Sequence, residues 1–337
     1  MAFADETVAV TGAGGFIGSH LVEDLLRAGR RVRALVHYNG AGTEGFLGEV
    51  REGLGPQAAK RLEVIAGDVR DARCVRELVR GCGAAYHLAA LIGIPYSYAA
   101  PESYIDTNMR GTLNVLEACR DRHVPRLVHT STSETYGTAR TTPMNESHPL
   151  QAQSPYAASK IAADKLVESY VLSFNLPAVT VRPFNTFGPR QSLRAVIPTI
   201  VAQALSPQLK EVRLGALDPV RDLTFVRDTA AAFRLVGEAP LGVTRGRLYN
   251  LGTRQGITIG NLAKLILTIL EVDKPVVSDA ARMRPEKSEV RALIGDNSLI
   301  RKEVGWRPGV SLEDGLRETI AWIRPRVQTL NAGRYAQ

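Results

Sequence analysis

Residues Thr11-Gly-Ala-Gly-Gly-Phe-Ile-Gly18 stand between a short β-branched apolar run, Thr7–Val10, and an amphipathic run, Ile17–Arg27, that Gly29 closes. The glycines at 12, 15 and 18 follow a GxxGxxG spacing. In a strand–turn–helix unit the first allows the tight turn and the second lets a pyrophosphate approach the backbone. The third lets the helix pack on the sheet. The free N–H groups at the helix start and the helix dipole then favour an anion. A dinucleotide is the expected ligand, held by Gly12, Gly15, Phe16, Ile17 and Gly18.

Which dinucleotide depends on the end of the second strand. An acid there would hold the adenosine ribose, and an arginine would accept a 2′-phosphate. The chain has Leu35-Val36-His37-Tyr38-Asn39, which offers neither. Asn39 is the expected ribose partner, and NAD the expected cofactor, with NADP as the alternative. Asp68-Val69 fits a carboxylate and backbone pair at the adenine edge, against a plain helix-capping role for the acid.

The rhythm that follows is strand and helix in alternation. Strands are expected at Arg31–Val36, Leu62–Ala66, Ala84–Leu88, Arg126–Thr130 and Ala178–Arg182. Helices are expected at Ala72–Val79, Asn108–Arg122 and Tyr156–Phe174, and a surface loop with a short helix over Asn39–Lys60. This predicts an α/β chain with a Rossmann-type doubly wound parallel sheet. After Arg182, prolines and glycines punctuate the chain and the pattern breaks. Two segments, Leu223–Val236 and Leu248–Gly252, read as returns to the first lobe, and helices at Gly260–Glu271 and Ser311–Ile323 complete a smaller C-terminal α/β lobe. The expected division is a dinucleotide domain at 1–183 with returns at about 223–258, and a substrate lobe at 184–222 and 259–330.

Bulk properties narrow the function. Of 337 residues, 45% are hydrophobic and 23% charged, enough to bury a core without metals or disulfides. The three cysteines, Cys74, Cys82 and Cys119, show neither zinc spacing nor a disulfide framework, and no metal is expected. The net charge of +8 is carried by scattered arginines, the densest stretch (Arg282, Arg284, Lys287, Arg291) being broken by acids. That argues for a pocket for a small anion and against nucleic acid. No run of about eighteen apolar residues predicts a membrane span. The start, MAFADETVAVTG, has no basic region before its first strand, so a secretory signal is not expected and the cytoplasm is.

Tyr156 and Lys160, four apart on an expected helix, share one face. An ammonium near a phenol lowers its pKa and makes it a base. The pair lies in Ser154-Pro-Tyr-Ala-Ala-Ser-Lys160 and follows Val128-His-Thr-Ser-Thr-Ser-Glu-Thr-Tyr-Gly137. Thr132 brings a hydroxyl for the reacting oxygen, and Glu134 a carboxylate that a plain alcohol dehydrogenase does not require.

Together these strings resemble the nucleotide-sugar epimerase/dehydratase family of extended short-chain dehydrogenases. The similarity runs through TGAGGFIGSH, HLAAL at 87–91, TSTSETYG, SPYAASK, RPFNTFGPRQ and RDLTFVRD at 221–228. It implies that Thr132, Tyr156 and Lys160 transfer hydride and proton, that Leu88, Ala89 and Ala90 flank the cofactor, and that Asn108 is a structural relay. It also places Asn185, Arg190 and Pro198 at a nucleotide-sugar site and has Arg221 and Arg284 clamp its diphosphate. Glucose-type 4,6-dehydratases carry Thr-Asp-Glu where this chain has Thr132-Ser133-Glu134, so the identity of the acid stays open between Ser133 and Glu134. The longer strings, with LAALIGIPYSYAAPESY and RPFNTFGPRQSLRAVIPTI, look most like N-acetylglucosamine nucleotide 4,6-dehydratases of the legionaminic-acid pathway.

The expected activity is therefore 4,6-dehydration of a UDP- or GDP-N-acetylglucosamine-like sugar through a 4-ketone. Alternatives are a UDP-hexose or UDP-hexuronate 4-epimerase, and a UDP-glucuronate decarboxylase with Arg182 or Arg190 near C6. From another class comes a non-catalytic dinucleotide sensor. Leu113, Leu116, Leu166, Val167 and Tyr170 exceed what one sheet face should absorb, and by resemblance they pair in a homodimer.

Overall fold

The computed structural model describes residues 6–192 and 194–329. Met1–Asp5 and residue 330, counted in the expected division, lie outside the described residues, as does Leu193.

Seven parallel strands form the central sheet. Six are β1 (Thr7–Thr11), β2 (Arg31–His37), β3 (Leu62–Gly67), β4 (Ala84–His87), β5 (Leu127–Thr130) and β6 (Ala178–Pro183). The seventh, Leu248–Leu251, pairs with β6 in parallel. From one edge the order is Leu248–Leu251, β6, β5, β4, β1, β2, β3. Strands covered on both faces need apolar side chains at successive positions, and β4 and β6 are buried along their whole length. The order reverses between β1 and β4. Loops leaving the carboxyl ends of those two strands diverge to opposite faces and leave a crevice, the usual ligand position in such sheets.

Each site-bearing helix begins where the sequence provides a stop. Helix Phe16–Arg27 starts at Gly15 with no side-chain cap. Helix Pro155–Phe174 is capped by Ser154, whose Oγ accepts from Ala157 N at 3.1 Å, has Pro155 in its first turn, and ends at left-handed Asn175. The expected helix Asn108–Arg122 is split. A π-helical turn over Ile105–Arg110 precedes α-helix Gly111–Asp121, and the wide turn carries Asn108.

Leu223–Val236 is a three-residue strand, Leu223–Phe225, followed by helix Val226–Glu238, which packs on helix Phe16–Arg27. The smaller lobe has its own core, where Phe187, Ile197, Ile200, Phe225, Leu262 and Leu316 are buried together. Its strands are short. Val220–Arg221 lies between Ile257–Thr258 and Ala292–Leu293. Asp222, fully buried, accepts from Thr253 N and Oγ1, Arg254 N and Gly295 N, and so ties these loops to one carboxylate.

One sequence expectation is corrected in part here. Leu116 and Val167 are fully buried and Tyr170 nearly so, in the core between helices Gly111–Asp121 and Pro155–Phe174 and the sheet, with Leu113 and Leu166 packed against them. Leu116, Val167 and Tyr170 are thus absorbed within one chain, while Leu113 and Leu166 stay partly exposed.

Candidate active site

The glycine turn is built as the spacing requires. Gly12 has φ +67°, and a Cβ there would meet Ala89 N at 2.8 Å and Leu88 C at 2.9 Å. A Cβ on Gly18 would stand 2.1 Å from Gly12 O, so this glycine lets the helix close on the turn. Exposed Gly15 leaves the first helical N–H groups without a side-chain acceptor. Phe16 packs against the core of the second lobe, and Ile17 against the cores of both lobes.

Beside the turn, hydrogen-bond directions are determined. Thr11 Oγ1 accepts from Leu88 N and Ala89 N, both at 3.1 Å, and donates to His87 Nδ1 at 2.8 Å. His87 Nε2 then donates to Thr112 Oγ1 at 3.0 Å, which donates to Asn108 O at 2.6 Å. The Asn108 amide is fully used. It accepts from Leu91 N at 2.8 Å and donates to Leu91 O and to Ser159 Oγ. Ala90 lies in this Leu88–Leu91 loop, half-buried. The loop after β4 is thus fastened both to the glycine turn and to the helix bearing Tyr156.

The adenine end is less as expected. Asn39 spends its amide on its own loop, accepting from Ala41 N and Thr43 N and donating to His37 O and Thr43 O, so it is not free for a ribose. Asp68 pairs with Arg70, with Nη2 to Oδ2 at 2.5 Å, and the helix-capping role belongs to Asp71. Val69 is buried against Gly111.

Thr132 follows β5 and caps a 3-10 turn over Ser133–Tyr136 by accepting from Glu134 N at 3.3 Å. Ser133 is buried and Glu134 half-exposed. Tyr156 packs with Ile94 and edge-on to Tyr104, its ring centroid 6.2 Å away. Burial pushes its phenol well above the usual range, opposed by a hydrogen bond with Thr132 and reinforced by the charge of Glu134. Burial dominates here in place of the lowering expected from Lys160, whose Nζ donates instead to Thr130 O at 2.6 Å. Burial in turn pushes the Lys160 ammonium down to about 8, with Asp164 resisting.

From the second lobe, Arg221 is buried and pairs with Glu289 at 3.1 Å; the charges of Glu134 and Arg284 also act on it. Arg284 stands 3.9 Å from the same Glu289. Asn185 pairs in register with Leu223 next to this strand, and its buried Oδ1 has no hydrogen-bond partner. Pro198 is buried in the first turn of helix Val196–Leu205.

Arg190 is placed elsewhere. It pairs with Glu23 at 2.8 Å on helix Phe16–Arg27 and faces a groove lined by Glu23, Glu49, Arg227 and Trp322. Arg182 is also spent, pairing with Asp164 at 2.6 Å and lying over the Tyr136 ring. Neither is available near a sugar C6. Among the described residues, no group of three or more His, Cys, Asp and Glu could hold a metal ion.

A family model described as GDP-mannose 4,6 dehydratase matches residues 9–319. The chain belongs to that family. Among its relatives, the dTDP-glucose 4,6-dehydratase of Mycolicibacterium smegmatis is 33% identical over 94% of this chain and 92% of its own length. The solved dTDP-glucose 4,6-dehydratase DesIV of Streptomyces venezuelae, with NAD bound, is 31% identical with a TM-score of 0.85, covering 97% of this chain and all of its own. The UDP-N-acetylglucosamine 4-epimerase of Methanobrevibacter ruminantium is 28% identical at a TM-score of 0.84, covering 96% of this chain and all of its own. This GDP-mannose 4,6 dehydratase family member thus resembles both dehydratases and epimerases of nucleotide sugars.

Proposed function

We propose that the protein is a nucleotide-sugar 4,6-dehydratase acting on UDP- or GDP-linked N-acetylglucosamine or a close analogue. The reading rests above all on Glu134, a carboxylate whose charge reaches both buried Tyr156 and Arg221. NAD is the proposed cofactor; DesIV was solved with it, and the uncapped helix start at Gly15 suits a pyrophosphate. When bound, NAD supplies the hydride acceptor at C4 and the hydride donor at C6.

The positive nicotinamide of bound NAD would favour the phenolate that burial alone disfavours, and Tyr156 then takes the proton from O4, with the Thr132 hydroxyl holding that oxygen. The C4 ketone acidifies the C5 hydrogen. Glu134 removes it and passes the proton to the C6 oxygen as that oxygen departs. Ser133 is buried and a hydroxyl is a poor acid, so Glu134 serves both steps. A solvent proton re-enters at C5, and the sugar has lost one water. Arg221 and Arg284 suit the diphosphate, with Asn185 beside them.

Purified protein incubated with UDP- and GDP-N-acetylglucosamine should yield a product lighter by one water. A 4-epimerase is the second reading, because Ser133 stands where glucose-type dehydratases carry an acid; unchanged mass with inverted C4 would establish it. Decarboxylation loses support with Arg182 and Arg190 both engaged elsewhere. The cytoplasm is the proposed compartment, because all three cysteines are free. A homodimer is proposed on the apolar side chains still exposed near the two helices, Met109 and Leu172.

A further inference from the structure

Behind the Tyr156–Lys160 pair lies a buried cluster that the proposed reaction does not use. Asp164 is one turn beyond Lys160 on helix Pro155–Phe174, at the spacing that puts two side chains on one face. One of its oxygens accepts from His129 Nε2 at 3.2 Å; the other accepts from Ser131 Oγ and from Arg182 Nη2, both at 2.6 Å. Arg182 Nε also donates to Ser131 Oγ at 3.1 Å. His129, Ser131, Lys160, Asp164 and Arg182 are all buried. Asp164 therefore holds the side chains of residues 129 and 131, while Lys160 holds the carbonyl of residue 130 between them. Thr132 comes next in the chain.

Burying two cations and one anion together is costly unless their geometry is good, so such a cluster calls for a reason. We infer that Asp164, clamped by Arg182, is a positioning residue for the reaction: it keeps the Lys160 ammonium charged and pins the end of β5 that presents Thr132 and Glu134. The inference rests on Tyr156 and Lys160 being the reacting pair.

The groups around Lys160 are Tyr156 and Asp164 on its own helix, His87 from β4, His129 from β5 and Arg182 from β6; Glu134 acts through Tyr156. Burial first, then Lys160 for both and His129 for His87, hold the two histidines below their ordinary value although the Asp164 bond raises His129, so they are neutral and leave Lys160 two charges to feel. Asp164 favours the ammonium and Arg182 opposes it. Burial pushes Asp164 upward, but His129, Arg182 and Lys160 outweigh this and keep it ionised.

The two charges predict opposite effects, which a purely structural cluster would not. In a pH profile of kcat, Asp164→Asn should move the alkaline limb to lower pH by about one unit, and Arg182→Met should move it to higher pH by a similar amount. The double variant should return near wild type, and Ser131→Ala, which keeps every charge, should leave the limb in place. If Asp164→Asn does not fold, Arg182→Met decides alone, an upward shift supporting the inference. Limbs that stay put, or that move the same way in both single variants, overturn it. Tyr156→Phe, run alongside, separates the two claims: full activity there would sink the assignment of the reacting pair itself.

Discussion

Glu134, on the 3-10 turn after β5, lies close enough to Arg221, on a short strand of the second lobe, for its charge to favour that buried guanidinium. Tyr156 feels the same carboxylate, which pushes its phenol up. One acid thus acts on both the phenol proposed as base and the arginine proposed to hold the diphosphate.

Replacing that acid should uncouple elimination from oxidation. Glu134→Gln keeps size and hydrogen bonding but cannot take the C5 proton. Formation of the dehydrated product should fall by about 10²–10⁴-fold, while oxidation at C4 continues. Single-turnover absorbance should show reduced nicotinamide accumulating. Product made at the wild-type rate would remove Glu134 from the chemistry.

Tyr156→Phe deletes one oxygen and leaves the ring against Ile94 and Tyr104. Turnover should drop by at least about 10²-fold, with NAD binding retained in a calorimetric titration. A sensor that only binds a dinucleotide would not register the change in any partner-binding assay.

Gly12→Ala tests the turn. The substitution meets a left-handed φ of +67° and a contact of 2.8 Å with Ala89 N, both backbone features that cannot step aside. A loss of about 1–3 kcal/mol in urea unfolding is expected, together with weakened NAD binding. Unaltered affinity would show that the dinucleotide lies elsewhere.

His20 should make the fold acid-sensitive. Its Nε2 is bonded to Pro189 O at 3.0 Å, and burial, then the charge of Arg190, lower its pKa from 6.5 to about 4. The unfolded chain then binds more protons between those values, so stability is full above pH 6.5 and is lost as pH falls toward 4. The loss is on the order of 3 kcal/mol. His20→Asn, still a donor, should flatten this part of a stability-versus-pH curve; parallel curves for the two proteins would acquit His20.

Features confined to one segment are legible in the sequence alone. The glycine turn, the Tyr156–Lys160 spacing and the strand–helix alternation each depend on neighbours within a few residues. Features made by distant segments are not. Nothing local marks Asp164 and Arg182 as partners, because they meet only once β6 lies beside β5. Arg190 sat in a familiar string, yet its direction is set by Glu23 on the first helix. Leu116 and Val167 looked surplus because periodicity counts apolar faces without knowing that two neighbouring helices bury each other. Asn39 stands where a ribose partner is expected, whereas an asparagine opening a tight loop tends to satisfy its own backbone.

Asp222 carries a last implication. One buried carboxylate gathers amides from residues 253, 254 and 295, while Leu248–Leu251 belongs to the sheet of the other lobe. The chain crosses between the lobes more than once, so no single cut would release a nucleotide-binding half able to fold by itself. New sugar preferences in such a scaffold would have to arise by rewriting loops in place, because there is no detachable substrate module to exchange.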